Sequence, residues 1–325
     1  MVRVSNRKSV GPHLLAGGPQ PNTSNDTTRA MIIMTLGMLV VPLMDVLAKN
    51  LSTNHAVGPV TITFIRFVGQ AVLLAMVIPF TIGARKIMSK RPGLNILRGV
   101  LVGCAVSLFF TTVKYMPLAD AIAIFFVEPM VLILLSAVFL REFVGWRRAV
   151  ASMFGFFGAL LIIQPSYEIF GAISLMPLGT ATFFAIYLLV SKKAGVQDHP
   201  LTMQLWAGIG GAMVCSVILL AAPLTGIEDM AFRLPITEPV VWQLAGVILI
   251  ATVAHLLIVM AFTKADASIL APFQYLEIVT MTIAGYMIFG EFPTPAKWLG
   301  IAIIIGSGLF IFLRERRLSR GNGSV

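Results

Sequence analysis

Ten stretches of this 325-residue chain are apolar over about the length a helix needs to cross a bilayer. The hydrocarbon core is ~30 Å thick, which takes ~20 residues at helical rise. The stretches run near 31–49, 57–82, 94–115, 119–140, 146–164, 172–191, 201–222, 240–263, 268–289 and 294–313. Backbone in lipid has no water to bond, so a spanning segment is a helix or a strand of a closed barrel. These runs do not alternate polar and apolar residues as barrel strands do. Each is therefore expected to be a helix, making the chain an all-α polytopic membrane protein. Composition agrees: 58% of residues are hydrophobic and 12% charged, whereas a soluble domain carries about 25% charged residues.

The net charge of +10 is not a nucleic-acid signature, because the basic residues are not gathered on one face. They sit between the apolar runs. Numbering those connections alternately from the N-terminus, eighteen Lys and Arg fall on the N-terminal side, including Arg85, Lys86, Arg147, Arg148 and Lys192. Four, Lys49, Lys114, Arg233 and Lys297, fall on the other side, and Arg66 and Arg98 lie inside runs. The positive-inside rule then puts both termini in the cytoplasm and the chain in a cell inner membrane. Trp146, Trp242 and Trp298 fall at run starts, where interfacial aromatics belong. Residues 1–30 and 314–325 are polar and read as cytoplasmic tails, the first disordered. No apolar signal-peptide core precedes the first run. Cys104 and Cys215 lie in apolar text without metal spacing and read as small buried residues.

Two carboxylate pairs disclose an internal repeat. Glu128 and Glu142 are 14 residues apart, as are Glu277 and Glu291, and one offset of 149 relates the pairs. The first member of each sits inside a run; the second sits in the connection that follows. Beyond it lie the small-residue pairs Ala151/Gly155 and Ala302/Gly306, which suit close helix approach. Five helices per half is an odd number, so the second half enters the membrane in the opposite sense. Residues 31–165 and 172–313 thus read as two inverted five-helix repeats, an arrangement of secondary transporters.

The text "EPMVLILLSAVFLREFVGWRRAVASMFGFFGALLI", with Glu-Pro inside helix four, Glu142 in the connection and a Gly-rich helix beyond, resembles the drug/metabolite transporter superfamily. It is most similar to the EamA-type bacterial members, over about residues 31–313. The second half departs from the pattern, with Ile278 rather than Pro after Glu277. The resemblance implies a substrate cavity between the halves, opened to alternate sides. Members carry amino acids, S-adenosylmethionine, riboflavin, sugars or amphipathic drugs. The breadth of exporters among them favours export. The alternative is import of a cofactor-like metabolite, to which "MDVLAKNL" in helix one is similar.

Charge inside a bilayer costs at least ~2.5–3.5 kcal/mol on insertion scales, so it lines a cavity or pairs. Glu128 and Glu277 fall mid-helix at equivalent places. Pro129 biases Glu128 away from helical backbone, and Gln274 lies one turn before Glu277. They read either as a proton- or cation-coupling site or as hydrogen-bonded staples. Arg66 keeps its charge and needs an anion: Glu128, Asp45 or a substrate carboxylate. Asp45 precedes Lys49 by one turn, which suits a simple i,i+4 pair or a cavity wall. His255 stands alone and reads as a helix–helix hydrogen bond rather than a metal ligand. Tyr187, Trp206, Phe109, Phe110, Tyr115 and Tyr275 offer an aromatic wall to a planar substrate, or simple packing. Lys114 and Lys264 read as snorkelling anchors.

Rival classes lack their signatures. There is no metalloprotease, nucleophile-elbow or P-loop motif for an enzyme, and "GIGG" at 208–211 reads as a packing surface. No repeated filter motif or ring of like charge marks a channel. The expected partners are a small-molecule substrate and lipid, with no cofactor, no metal and no nucleic acid; monomer and homodimer remain open.

Overall fold

A computed structural model describes residues 24–128, 130–132, 134–135, 146–194, 198–262, 264, 270, 273–274 and 276–321. Ten α-helices occur among them: α1 Ser24–Asn54, α2 Pro59–Thr81, α3 Pro92–Tyr115, α4 Leu118–Phe125, α5 Trp146–Phe170, α6 Met176–Ala194, α7 Pro200–Thr225, α8 Glu238–Phe262, α9 Leu276–Phe289 and α10 Pro295–Gly321. Short 3₁₀ turns join α2 to α3, α5 to α6 and α7 to α8. Six helical stretches among the described residues are long and apolar enough to cross a membrane. Their outward surfaces carry exposed Leu220, Leu224, Met76, Phe80 and Trp242, the text of helices whose solvent is lipid. The protein is thus an all-α, multi-pass membrane protein.

Helix boundaries follow local chemistry. Pro59, Pro92 and Pro200 open α2, α3 and α7 from the first turn, where a missing N–H costs nothing. His199 caps α7 by accepting from the Leu201 N–H at 3.3 Å. Gly226 closes it at φ +65°, a left-handed position that suits glycine. Three expectations shift. α1 starts at Ser24, inside the stretch expected to be a disordered tail. α10 runs to Gly321, through most of the expected basic tail. The fourth run is not one even helix: α4 stops at Phe125, turns through Phe126 and Val127, and resumes helical backbone at Glu128. The i+3 bonds Val127 N–H to Ile124 O (3.1 Å) and Met130 N–H to Val127 O (2.9 Å) tighten this turn. The break falls at Phe126 and Val127, and Glu128, the residue expected to leave helical backbone, is itself helical; Pro129 lies outside the described residues, as do Glu142 and Tyr275.

α3 packs along α7 and α6, α1 along α8, α2 along α7, and α5 along α10. The α3–α7 crossing is close. A methyl group on Gly99 would stand 2.2 Å from the Ala207 carbonyl oxygen, and one on Gly210 would stand 2.2 Å from that of Ile96. The glycines at 208–211 are therefore a packing surface, as their text suggests. On α5 and α10 the close contact is Gly158 against the Gly300 carbonyl oxygen, where an added methyl would lie at 2.9 Å. Gly306 faces open space instead, so the Ala302/Gly306 pair is not the contact expected. α4 is enclosed by α3, α5, α6, α9 and α10. Several pairings recur when each of the first five helices is exchanged for its counterpart five later: α1–α8 with α6–α3, α1–α9 with α6–α4, and α2–α8 with α7–α3.

Candidate functional site

A guanidinium buried among apolar helices must find its solvation in protein groups. Arg66, on α2, is fully buried. Its Nη2 lies 3.2 Å from Nε2 of His255 on α8, and its plane rests 4.5 Å from the Phe67 ring. His255 Nδ1 stands 3.0 Å from the Ala251 carbonyl oxygen. A carbonyl only accepts, so Nδ1 is assigned the proton and Nε2 accepts from Arg66. His255 is thus a neutral acceptor bridging α2 and α8, in line with the helix–helix hydrogen bond expected of it. Arg66 Nε and Nη1 have no hydrogen-bond partner. Unmet donors on a buried cation are costly and leave room for another acceptor.

The acids around this cation come from two further helices. Asp45, on α1 one turn beyond Pro42, interacts electrostatically with both Arg66 and Glu277. Glu277 lies in the first turn of α9 and is buried. Asp45 thus stands between the cation on α2 and a second buried carboxyl on α9. The excess negative charge calls for a proton or a cationic group whenever both acids are ionised. Gln70, one turn along α2, donates to the Gln204 carbonyl at 2.9 Å, while its own carbonyl oxygen is unmatched.

Glu128 stands apart. It is 4% exposed and its Oε1 has no hydrogen-bond partner. No charged side chain among the described residues interacts with it electrostatically. It is not the counter-ion of Arg66; that role falls to Asp45. Gln274 is half-buried, one turn before Glu277.

The aromatic residues separate into three places. Phe109 and Tyr187 join an array with Phe125 and Phe184. Tyr187 also accepts from Arg98 Nη2 at 3.2 Å, and Arg98 donates to Ser191 Oγ (2.7 Å) and Asn95 Oδ1 (2.9 Å). Phe110 is plain core. The Trp206 indole N–H donates to the Ile87 carbonyl at 2.8 Å, pinning α7 to the α2–α3 connection, and its ring packs with Leu74, Ile78 and Leu205. Tyr115 is exposed and bonded to Asp229 at 2.8 Å.

One end of the bundle is closed by ion pairs that sequence spacing conceals. Lys49 does not pair with Asp45 one turn before it. It binds Glu291, between α9 and α10, and donates to the Met116 carbonyl at 2.8 Å. The second Glu291 oxygen accepts from the Leu118 N–H at the start of α4 (3.1 Å). Beside it, Lys297 of α10 binds the buried Asp120 of α4. These four charges sum to zero and interact across both pairs. Lys114, expected to snorkel, binds Asp229 at 2.6 Å. Asp229 and Asp120 attract no notice as sequence; an acid at a helix start opposite a lysine on the same expected side of the membrane is the only cue.

At the other end, the Asp198 carboxylate accepts from the Ser89 hydroxyl (2.6 Å), the Lys90 N–H (2.9 Å) and the Asn95 amide (2.9 Å). Partial burial pushes this carboxyl up, but the three hydrogen bonds and the Lys90 charge outweigh it and hold it below the ordinary carboxylate range.

The chain as a whole is similar to known proteins. The chain is 30% identical over 303 residues to a riboflavin transporter of Vibrio cholerae, covering 91% of this chain and 96% of that protein. It is 30% identical to an S-adenosylmethionine uptake transporter of Rickettsia bellii, covering 84% and 89%. It is 28% identical to a riboflavin transporter of Rhizobium johnstonii, covering 88% and 92%. A crystal structure with a TM-score of 0.61 and 17% identity, covering 90% of this chain and 99% of that one, shares the fold. The EamA-like transporter family model matches twice, over residues 28–164 and 170–313, and together these matches cover almost all of the described helices: the chain belongs to the EamA-like transporter family.

Proposed function

We propose that the protein is a secondary carrier that imports a cofactor-like metabolite of the riboflavin or S-adenosylmethionine type across the inner membrane. The observation that carries this reading is the buried group Arg66, Asp45, Glu277 and His255. It gathers four helices around a cation with two unmatched donors, which is the place for a substrate's polar end. Export, expected from the breadth of exporters in the family, gives way to import because the relatives include S-adenosylmethionine uptake transporters. The two halves are inverted repeats, with both termini cytoplasmic. The recurrence of helix pairings on exchange of the halves supports this, as does the double family match. The Lys49–Glu291 and Asp120–Lys297 pairs close the outer end in the state described. Glu277 and Glu128 take up and release a proton as the cavity alternates, which couples uptake to the proton gradient.

The test is whole-cell uptake. A bacterial host with no riboflavin uptake of its own, expressing this chain, should accumulate labelled riboflavin or labelled S-adenosylmethionine several-fold over the empty vector. Accumulation should collapse when the proton gradient is discharged. A host that takes up neither compound, or that loses preloaded compound faster than the control, overturns the reading.

A further inference from the structure

α4 is enclosed on every side, and its side chains show it. From Leu118 to Ile124 each is buried, as are Phe126, Val127 and Glu128. Phe125 alone in this stretch is half-exposed. Its ring is the one side chain of this stretch left partly open where α4 packs against α3, α5, α6, α9 and α10. Its neighbour there is Phe184 of α6, also half-exposed, with ring centroids 5.6 Å apart and planes at 70°. Phe109 stands 6.1 Å from Phe125 on one side; Tyr187 stands 5.4 Å from Phe184 on the other. Beyond Tyr187 lie two guanidinium groups: Arg98, 5.2 Å above its ring, and Arg66, which interacts with it electrostatically.

The turn through Phe126 and Val127 ends on a polar group. Glu128 follows it three residues after Phe125, so a half-exposed aromatic ring and a buried carboxyl with an unmatched oxygen flank the same turn.

The geometry points to a substrate subsite here: Phe125 and Phe184 form a stacking platform for a planar heteroaromatic ring, and Glu128 accepts from an N–H or cationic group of the same molecule. The inference rests on the carrier reading and names its substrate class: a planar heterocycle joined to a polar chain that reaches toward Arg66. Edge-to-face aromatic rings bind such a ring through their quadrupoles and by excluding water, which tolerates different heterocycles where hydrogen-bond readout would not.

Ligand-induced thermal stabilisation of the purified, detergent-solubilised protein tests it. The panel is riboflavin, lumichrome, S-adenosylmethionine and adenosine, with methionine and ribitol as chains lacking a ring. At least one ring compound should raise the Tm, and the chains alone should not. Phe184→Leu and Phe125→Leu should weaken the apparent affinity about tenfold, while Phe184→Trp restores it. Glu128→Gln should weaken it for a ring compound bearing a cationic chain more than for lumichrome. A wild type moved only by methionine or ribitol, or by nothing in the panel, overturns the inference; so do leucine variants that bind as tightly as wild type. A protein that binds ring compounds but does not carry them across a membrane keeps the platform and ends the carrier reading.

Discussion

Lys49 and Glu291 are 242 residues apart in the chain and form an ion pair across the two halves of the bundle. Glu291 also holds the first N–H of α4, so this carboxylate ties α1, α4 and the α9–α10 connection together. Breaking a fully buried pair costs about 3 kcal/mol or more; Glu291 is half-buried, so the cost here falls below that. Lys49→Glu or Glu291→Lys alone should lower the Tm and open that end. In a protein with Cys104 and Cys215 replaced by Ser, a cysteine placed at buried Met116 should become reactive to a membrane-impermeant thiol reagent in either single variant. The double swap should protect it again. Equal labelling in all four proteins would show that the pair does not seal this end.

Arg66 is the cation beside Asp45, and its loss leaves that carboxyl with only Glu277, a like charge, as its charged neighbour among the described residues. Arg66→Ala should abolish uptake and cost about 3 kcal/mol of stability. Adding Asp45→Asn should recover most of the stability and none of the uptake. Arg66→Lys keeps the charge but loses the planar fork that meets His255 and Phe67 together, so it should fold and bind substrate at least tenfold more weakly. Measured Tm and substrate half-saturation for the three variants decide this.

Gly99 and Gly210 set the separation of α3 and α7. A methyl group there meets backbone rather than a movable side chain, and overpacking of this kind costs about 1–3 kcal/mol. Gly99→Ala should lower the Tm by several degrees. Gly306→Ala, where the added methyl meets nothing, should leave it within about a degree.

Asp198 has a carboxyl held below its ordinary value. Its contribution is complete above the unfolded value of ~3.9 and is lost as pH falls through the lower folded value. The group is partly exposed, so the effect is below about 1 kcal/mol. A Tm profile between pH 3 and 6 should fall at its acid end in wild type and be flatter, from a slightly lower plateau, in Asp198→Asn.

Much of the fold is legible because lipid leaves the backbone few choices. Apolar length marks helices, and proline marks where α2, α3 and α7 begin. Arg66, Asp45 and Glu277 are legible as candidates because charge in apolar text demands compensation, and the structure brings those three together. Which charges meet is not legible. The i,i+4 spacing of Asp45 and Lys49 suggests a pair, yet Lys49 finds its acid on the far half of the chain. Glu128 and Arg66 suggest another, yet α4 carries Glu128 into separate surroundings. Trp206 suggests a substrate wall, and its N–H is held by the Ile87 carbonyl of the α2–α3 connection. Each depends on how helices distant in sequence are placed, which spacing along one helix does not encode.

In the proposed carrier, substrate exchange proceeds through alternating exposure of one site between two halves. Counterflow in proteoliposomes tests this most directly. Vesicles preloaded with unlabelled riboflavin or S-adenosylmethionine should transiently concentrate the same labelled compound from outside, without any ion gradient. Glu128→Gln and Glu277→Gln should exchange only at a higher half-saturating concentration and should lose acceleration by an inward proton gradient. Labelled compound that only equilibrates, with no overshoot in wild type, would contradict the account.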